Sequence, residues 1–300
     1  MNPPRGMAKN PLFDNNLDFL PATFPACCRP VARLTASSLL APAGHRRHKQ
    51  GRPLPCAPPA VMTAPLLIIE TGKPLPSLNR YGGFAHWIRV AAGLCEQQTR
   101  VVDVTAGHPL PDVAEVAGVV ISGSAAYVTD REDWSETTAA WLRQAVAAGL
   151  PVLGICYGHQ LLAHALGGEV GFNPAGRESG TIALELHDSA AGDPLFGDLP
   201  AVVPAHATHL QTVLVPPPGA TVLARSARDN CQAFRIGERA WGVQFHPEFA
   251  THHMRGYLRE RAACIARHGQ DVRQLQREVT AAPQARRLLR RFVRHARIAA

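Results

Sequence analysis

Three side chains in this chain have the types and neighbours that covalent chemistry needs: Cys156, His246 and Glu248. A thiolate can attack a carbonyl carbon if a base takes the thiol proton and a third group holds that base in the right tautomer. His246 and Glu248 are two residues apart at the end of the apolar run Gly242-Val-Gln-Phe-His246-Pro247-Glu248, and they supply both roles. Cys156 sits in Gly154-Ile-Cys156-Tyr157-Gly158-His159-Gln160, with a glycine two residues away on each side. This G-x-C-x-G pattern is the thiol counterpart of the serine nucleophile elbow, a strand-to-helix turn that strains its central residue and crowds its neighbours. The turn would present the thiol at a helix N-terminus, where the dipole and free N–H groups favour the thiolate. A cysteine in an apolar run is ordinarily a buried, inert core thiol. A lone His-Pro-Glu is ordinarily a solvated strand end. The two motifs together, about ninety residues apart, argue for a site.

The elements that must position these groups follow from hydrophobic patterning. Leu66–Ile69, Arg100–Val104, Gly118–Ile121 and Val152–Ile155 are continuous apolar runs, as expected of strands buried on both faces of a parallel sheet. Helical spacing predicts helices over Gly82–Glu96 and over Ser135–Ala148, the second capped by Ser135 or Asp133. Another helix runs from the elbow through Leu161, Leu162, Ala165 and Leu166. From Glu169 the texture changes to short strands between Pro and Gly turns: Glu169–Phe172, Thr181–Leu186, Thr212–Val215, Thr221–Arg225, Cys231–Ile236 and Arg239–Phe245. These suggest a mixed or antiparallel extension whose last strand carries His246. Beyond Glu248 the pattern predicts helices over Thr251–Arg267, Asp271–Thr280 and Pro283–Ala300. The last of these has an apolar face of Leu288, Leu289, Phe292 and Val293, with its arginines forming a solvated face or, on a sharper reading, a docking surface for an acidic partner.

The pair G-I-C-Y-G-H-Q and G-V-Q-F-H-P-E resembles the class I (triad) glutamine amidotransferase family, within it most of all the glutaminase half of GMP synthase and stand-alone GMP-synthase-like amidotransferases. The resemblance covers about residues 65–250. It implies a Rossmann-like (flavodoxin-like) three-layer α/β sandwich with a mostly parallel central sheet. It implies a Cys156–His246–Glu248 triad that cleaves the side-chain amide of L-glutamine through a thioester, with no cofactor and no metal. It implies an oxyanion hole from the backbone N–H groups of Tyr157 and Ser124, the second in Ser122-Gly123-Ser124-Ala125, where the family has a G-G-P type loop. It implies substrate contacts from Gln160 and from Thr208-His209-Leu210-Gln211, which matches the family's S-H-G-D segment with Leu210 in place of Gly and Gln211 in place of Asp. An amide thus stands where a carboxylate would meet the substrate ammonium.

Composition sets the outer bounds. The +8 formal charge divides into +6 over residues 1–61 and +9 over 253–300, leaving −7 in between. The basic ends therefore do not make a basic stripe on the catalytic region, which argues against nucleic acid as a partner. No run approaches the roughly 20 apolar residues of a membrane span. Seven cysteines without a C-x-x-C pair, and fourteen histidines without zinc spacing, point to a reducing, cytoplasmic setting and to no metal site. Residues 1–61 hold eleven prolines and no lasting periodicity, and are expected to be disordered. Met62 stands just before the first strand, so it is the expected natural start and 1–61 an upstream extension; a targeting peptide is the rival reading. Residues 62–250 form the expected amidotransferase domain, and 251–300 a helical extension packed on it.

The sequence carries neither a Ser-Gly-Gly-x-Asp-Ser phosphate loop nor a G-x-x-x-x-G-K-[ST] motif. Three functions stay open on these residues. The first is a glutaminase that passes its product to an ammonia-accepting synthetase subunit. The second is a free-standing hydrolase or transferase of γ-glutamyl amides. The third is a non-catalytic binding domain that keeps the fold.

Overall fold

In the computed structural model, residues 64–298 are described. The N-terminal extension, Met62 and Cys27, Cys28 and Cys56 lie outside the described residues. The chain runs β1 (Leu66–Glu70), α1 (Phe84–Ala92), β2 (Thr99–Asp103), β3 (Gly118–Ile121), α2 (Asp133–Ala147), β4 (Val152–Ile155), α3 (Tyr157–Ala165) and β5 (Glu169–Phe172). It continues through β6 (Glu178–Leu186), β7 (Val202–His209), β8 (Gln211–Val215), β9 (Thr221–Arg225), β10 (Ala233–Ile236) and β11 (Ala240–Val243). Four helices follow: α4 (Thr251–Glu260), α5 (Ala262–Arg267), α6 (Val272–Glu278) and α7 (Pro283–Ile298).

All five side chains of β1 are buried, and they alternate between two cores. Leu66 and Ile68 face α1 and α7, where Ile88, Leu289 and Phe292 pack. Leu67 and Ile69 face α2 and α3, where Leu142, Ala145, Leu161 and Leu162 pack. Helices on both faces of one sheet make a three-layer α/β sandwich. The nine-stranded sheet has the order β2-β1-β3-β4-β11-β10-β9-β6-β7. From β2 to β11 the neighbours are parallel. From β11 to β7 they are antiparallel. Strands β5 and β8 pair apart from this sheet.

Several boundaries differ from expectation for local reasons. Helix α1 stops at Gly93, whose φ of 74° gives a left-handed cap, instead of reaching Glu96. Helix α2 begins at Asp133 with Glu132 in the capping position; the Ser135 hydroxyl, expected as a cap, instead meets the Tyr157 hydroxyl at 2.6 Å. Strand β7 is absent from the sequence reading because Pro204 sits inside it. It lies at the end of the sheet order, where a missing N–H is tolerated. The single helix expected over Thr251–Arg267 is divided at Arg261, whose ψ of 14° leaves the helical range. In α7 the buried face is as patterned. Its arginines do more than meet solvent: Arg286, Arg290 and Arg291 donate to the carbonyls of Glu248, Ala91 and Leu195. Burial of each large apolar side chain contributes about 1.5–3 kcal/mol, so Leu288, Leu289 and Phe292 fix α7 to the body.

Candidate active site

The elbow is built by backbone geometry. Cys156 has φ 52° and ψ −100°. Among the described residues, Arg131 is the other non-glycine with positive φ. A Cβ on Gly154 would lie 2.3 Å from the Gly158 carbonyl oxygen, and one on Gly158 would lie 2.6 Å from the Ile121 carbonyl oxygen. Neither contact could be relieved without moving backbone, so both glycines are required for α3 to start this close to β3 and β4. The Cys156 N–H donates to the Val243 carbonyl at 2.8 Å. The nucleophile candidate is thereby tied to β11, the strand that leads to His246.

His246 Nδ1 lies 2.8 Å from Glu248 Oε1, and both residues are buried. The imidazole stacks on Phe249, with ring centroids 4.1 Å apart. With Nδ1 occupied, Nε2 is left for the Cys156 thiol; it has no nitrogen or oxygen partner among the described residues. Gly123 completes the contact: a Cβ there would come within 3.0 Å of His246 Cε1 and 3.6 Å of Cys156 Cβ. Burial opposes charge on Cys156, but the imidazolium of His246 outweighs it and holds the thiol below its ordinary pKa. Burial also opposes charge on His246; there Glu248 and the thiolate prevail, raising it to about 10. The resting state is a thiolate–imidazolium pair.

The other residues singled out in the sequence meet at one cleft. Ser124, Tyr157, Gln160, Thr208, His209, Leu210 and Gln211 all line it with Cys156. His246 and Glu248 are not on its wall. The loop holding Ser124 is fastened to the end of β1, where the Thr71 N–H donates to Ser122 Oγ at 3.0 Å and the Thr71 hydroxyl to the Gly123 carbonyl at 3.1 Å. Gln160 directs its amide N–H groups inward, to the Gln211 carbonyl at 2.7 Å and to Gln244 Oε1 at 2.9 Å. His209 is similarly occupied: Nδ1 lies 3.0 Å from the Gln211 carbonyl oxygen and Nε2 3.0 Å from Glu178 Oε2. Two acceptors require two donors, so this imidazole is protonated. Burial opposes that charge, but Glu178 and Asp229 overcome it and raise the pKa. Gln160 and His209 thus brace the cleft wall rather than offer free polar atoms to a substrate. Gln211 donates from Nε2 to Thr129 Oγ1 at 2.6 Å, and its buried Oε1 has no partner among the described residues.

Sequence reasoning missed Arg177 and Arg261, which also line the cleft. Arg177 is buried at the start of β6, and its signal was a charged Arg-Glu pair opening an apolar strand. Arg261 arrives from the break between α4 and α5, for which the sequence gives no sign. The cleft is narrow, about 30 Å³, room for about one or two waters. A larger guest requires a wall to move. Among the described residues, no His/Cys/Asp/Glu cluster is arranged to hold a metal ion, and no helix is long and apolar enough to cross a membrane.

A strained thiol, an imidazole and a carboxylate at the edge of a three-layer α/β sandwich are the parts of a cysteine-dependent amide-cleaving site. The family model described as "Glutamine amidotransferase class-I" matches residues 77–263, and the chain belongs to that family. It is 37% identical over 171 residues to the GMP synthase [glutamine-hydrolyzing] of Aeropyrum pernix, covering 56% of this chain and 31% of that protein. It is 32% identical over 152 residues to a separate subunit of the GMP synthase [glutamine-hydrolyzing] of Halobacterium salinarum, covering 50% of this chain and 75% of that protein. The chain spans about a third of the length of the full GMP synthases it matches. A glutamine amidotransferase crystal structure from Thermotoga maritima has the same fold: TM-score 0.62 at 21% identity, covering 79% of this chain and 99% of that one.

Proposed function

We propose that this chain hydrolyses the side-chain amide of L-glutamine and releases ammonia for a separate acceptor enzyme. The observation that carries the reading is the strained Cys156 elbow facing a His246–Glu248 pair closed at 2.8 Å. The Cys156 thiolate attacks the amide carbon. The oxyanion is met by the Tyr157 N–H at the start of α3 and by the N–H of Ser124. His246 gives its Nε2 proton to the departing ammonia, leaving a thioester on Cys156. Water, deprotonated by His246, then attacks the thioester, and glutamate leaves as the thiolate re-forms. Glu248 holds Nδ1–H throughout and stabilises the imidazolium. The similarity to the Halobacterium protein, itself one subunit of a GMP synthase, supports a synthetase on another polypeptide as the ammonia acceptor. A thiol nucleophile works best in a reducing compartment, which supports a cytoplasmic setting.

The test is glutamate release from L-glutamine by the purified 300-residue chain beside Cys156→Ala. Turnover that vanishes with the thiol is expected. A slow basal rate is resolved by covalent labelling of Cys156 with a glutamine-like electrophile. Turnover that persists in Cys156→Ala, or a chain that neither turns over nor labels, sinks the reading.

A further inference from the structure

We propose that the cavity between α1 and the start of α4 binds a phosphate-bearing ligand of nucleotide size. This cavity is distinct from the catalytic cleft and much larger, about 450 Å³ against about 30 Å³. Its size lies in the roughly 300–1,000 Å³ range of small-molecule sites. Its walls divide by chemistry. Arg80, His86, His252 and Arg286 supply N–H donors, while Tyr81 and Val90 supply an apolar side. Val90 is 52% exposed, an unusual state for a large apolar residue unless something covers it. Among the described residues, no Asp or Glu lines the cavity.

The positive charge there is uncompensated. Arg80 lies 4.9 Å above the Tyr81 ring and has no carboxylate in ion-pair contact among the described residues. Arg286 is half-buried, and it donates to a neutral acceptor, the Glu248 carbonyl, at 2.9 Å. Burial lowers the pKa of His252, and the charges of Arg286 and Arg80 lower it further. Burial, His252 and Arg286 together hold His253, stacked on Trp87 behind the cavity, neutral with a pKa of about 3. Two guanidiniums and two imidazoles around one hollow match a phosphate, whose oxygens accept several charge-assisted hydrogen bonds. The apolar wall and the volume leave room for a ring beyond it. Arg286 comes from α7, outside the matched family segment 77–263. The cavity is therefore completed by a part of the chain that does not define the family.

Calorimetric titration of the full chain with AMP and with GMP, at fixed ionic strength, tests this, using Cys156→Ala so that the catalytic cleft reacts with nothing. Saturable binding is expected, weakened about tenfold or more by Arg80→Ala, with the melting temperature of that variant unchanged. Inorganic phosphate is expected to bind more weakly than either nucleotide. The proposal is overturned if neither nucleotide binds saturably at millimolar concentration, or if Arg80→Ala binds as well as its parent. It is equally overturned if phosphate binds as tightly as the nucleotides, or if a polyglutamate peptide binds and the nucleotides do not, which would make the hollow a protein-docking surface. The readout is binding alone, so it stands or falls independently of glutaminase turnover.

Discussion

The two halves of the sheet contribute to the cleft by different means. The parallel half, β1, β3, β4 and β11, supplies the thiol and its base through backbone placement: a positive φ at Cys156 and glycines with no room for a Cβ at 154 and 158. The antiparallel half, with β6 and β7 and the adjoining β8, supplies the walls through a side-chain network in which Glu178 binds His209, Ser226 and Gln232. A backbone device has one solution and fails when altered. A side-chain network has several solutions and can be retuned. The reacting groups should therefore be intolerant of substitution, and the substrate walls adjustable.

The largest effect is expected at the join between the halves. His246→Gln removes the base and the cation that holds the thiolate, so kcat for glutamine hydrolysis should fall about 10²–10⁴-fold. A purely structural histidine would leave the thiol unchanged. Here the midpoint of Cys156 alkylation against pH should move up in the variant. Gly154→Ala attacks the backbone device itself. Its Cβ would stand 2.3 Å from a carbonyl oxygen, and overpacking against backbone should cost about 3 kcal/mol or more, read as a lowered denaturation midpoint or as failure to fold. A normal midpoint with full activity would mean that the elbow is not rigid.

The two halves also contain a matched pair of buried thiols. Cys156 is 6% exposed and Cys231 is 3% exposed. Burial works against ionisation at both. At Cys231, before β10, Asp229 adds to it and pushes the thiol up to about 12. At Cys156 the imidazolium reverses it. Since only thiolate reacts, Cys156 should be carboxymethylated at neutral pH, its rate falling only as pH drops through the depressed pKa. Cys231 should stay unmodified until the protein unfolds. Peptide mapping after iodoacetate treatment at stepped pH reads both; equal labelling of the two would remove the basis for the contrast.

What the sequence disclosed follows the same division. The elbow and the His-Pro-Glu turn are local patterns, and the two cores alternating along β1 follow from its unbroken apolar run. The bracing of Tyr157 by Ser135 and the arrival of Arg177 and Arg261 at the cleft join residues remote in sequence, so no periodicity reports them. Strand β7 was hidden by Pro204, a residue that is acceptable only because its strand ends the sheet order. The roles of Gln160 and His209 were legible as positions but not as contacts: both line the cleft, yet their polar atoms turn inward.

Gln211 offers the smallest and most discriminating change. Its amide is oriented by the bond from Nε2 to Thr129, and Oε1 is the buried acceptor left over. In the proposed reaction this oxygen meets the α-ammonium of glutamine, a neutral acceptor for a full positive charge. Gln211→Asp would put a carboxylate near that ammonium, and a charge-assisted bond exceeds a neutral one by about 1 kcal/mol. The KM for glutamine should then fall about fivefold with kcat little changed, because the contact is present equally in ground and transition states. The shorter aspartate gives up the bond to Thr129, so the gain requires the wall to repack, as a side-chain network can. A KM that rises, with activity retained on γ-glutamyl compounds blocked at the α-amino group, would show that the wall is tuned for a substrate without that ammonium.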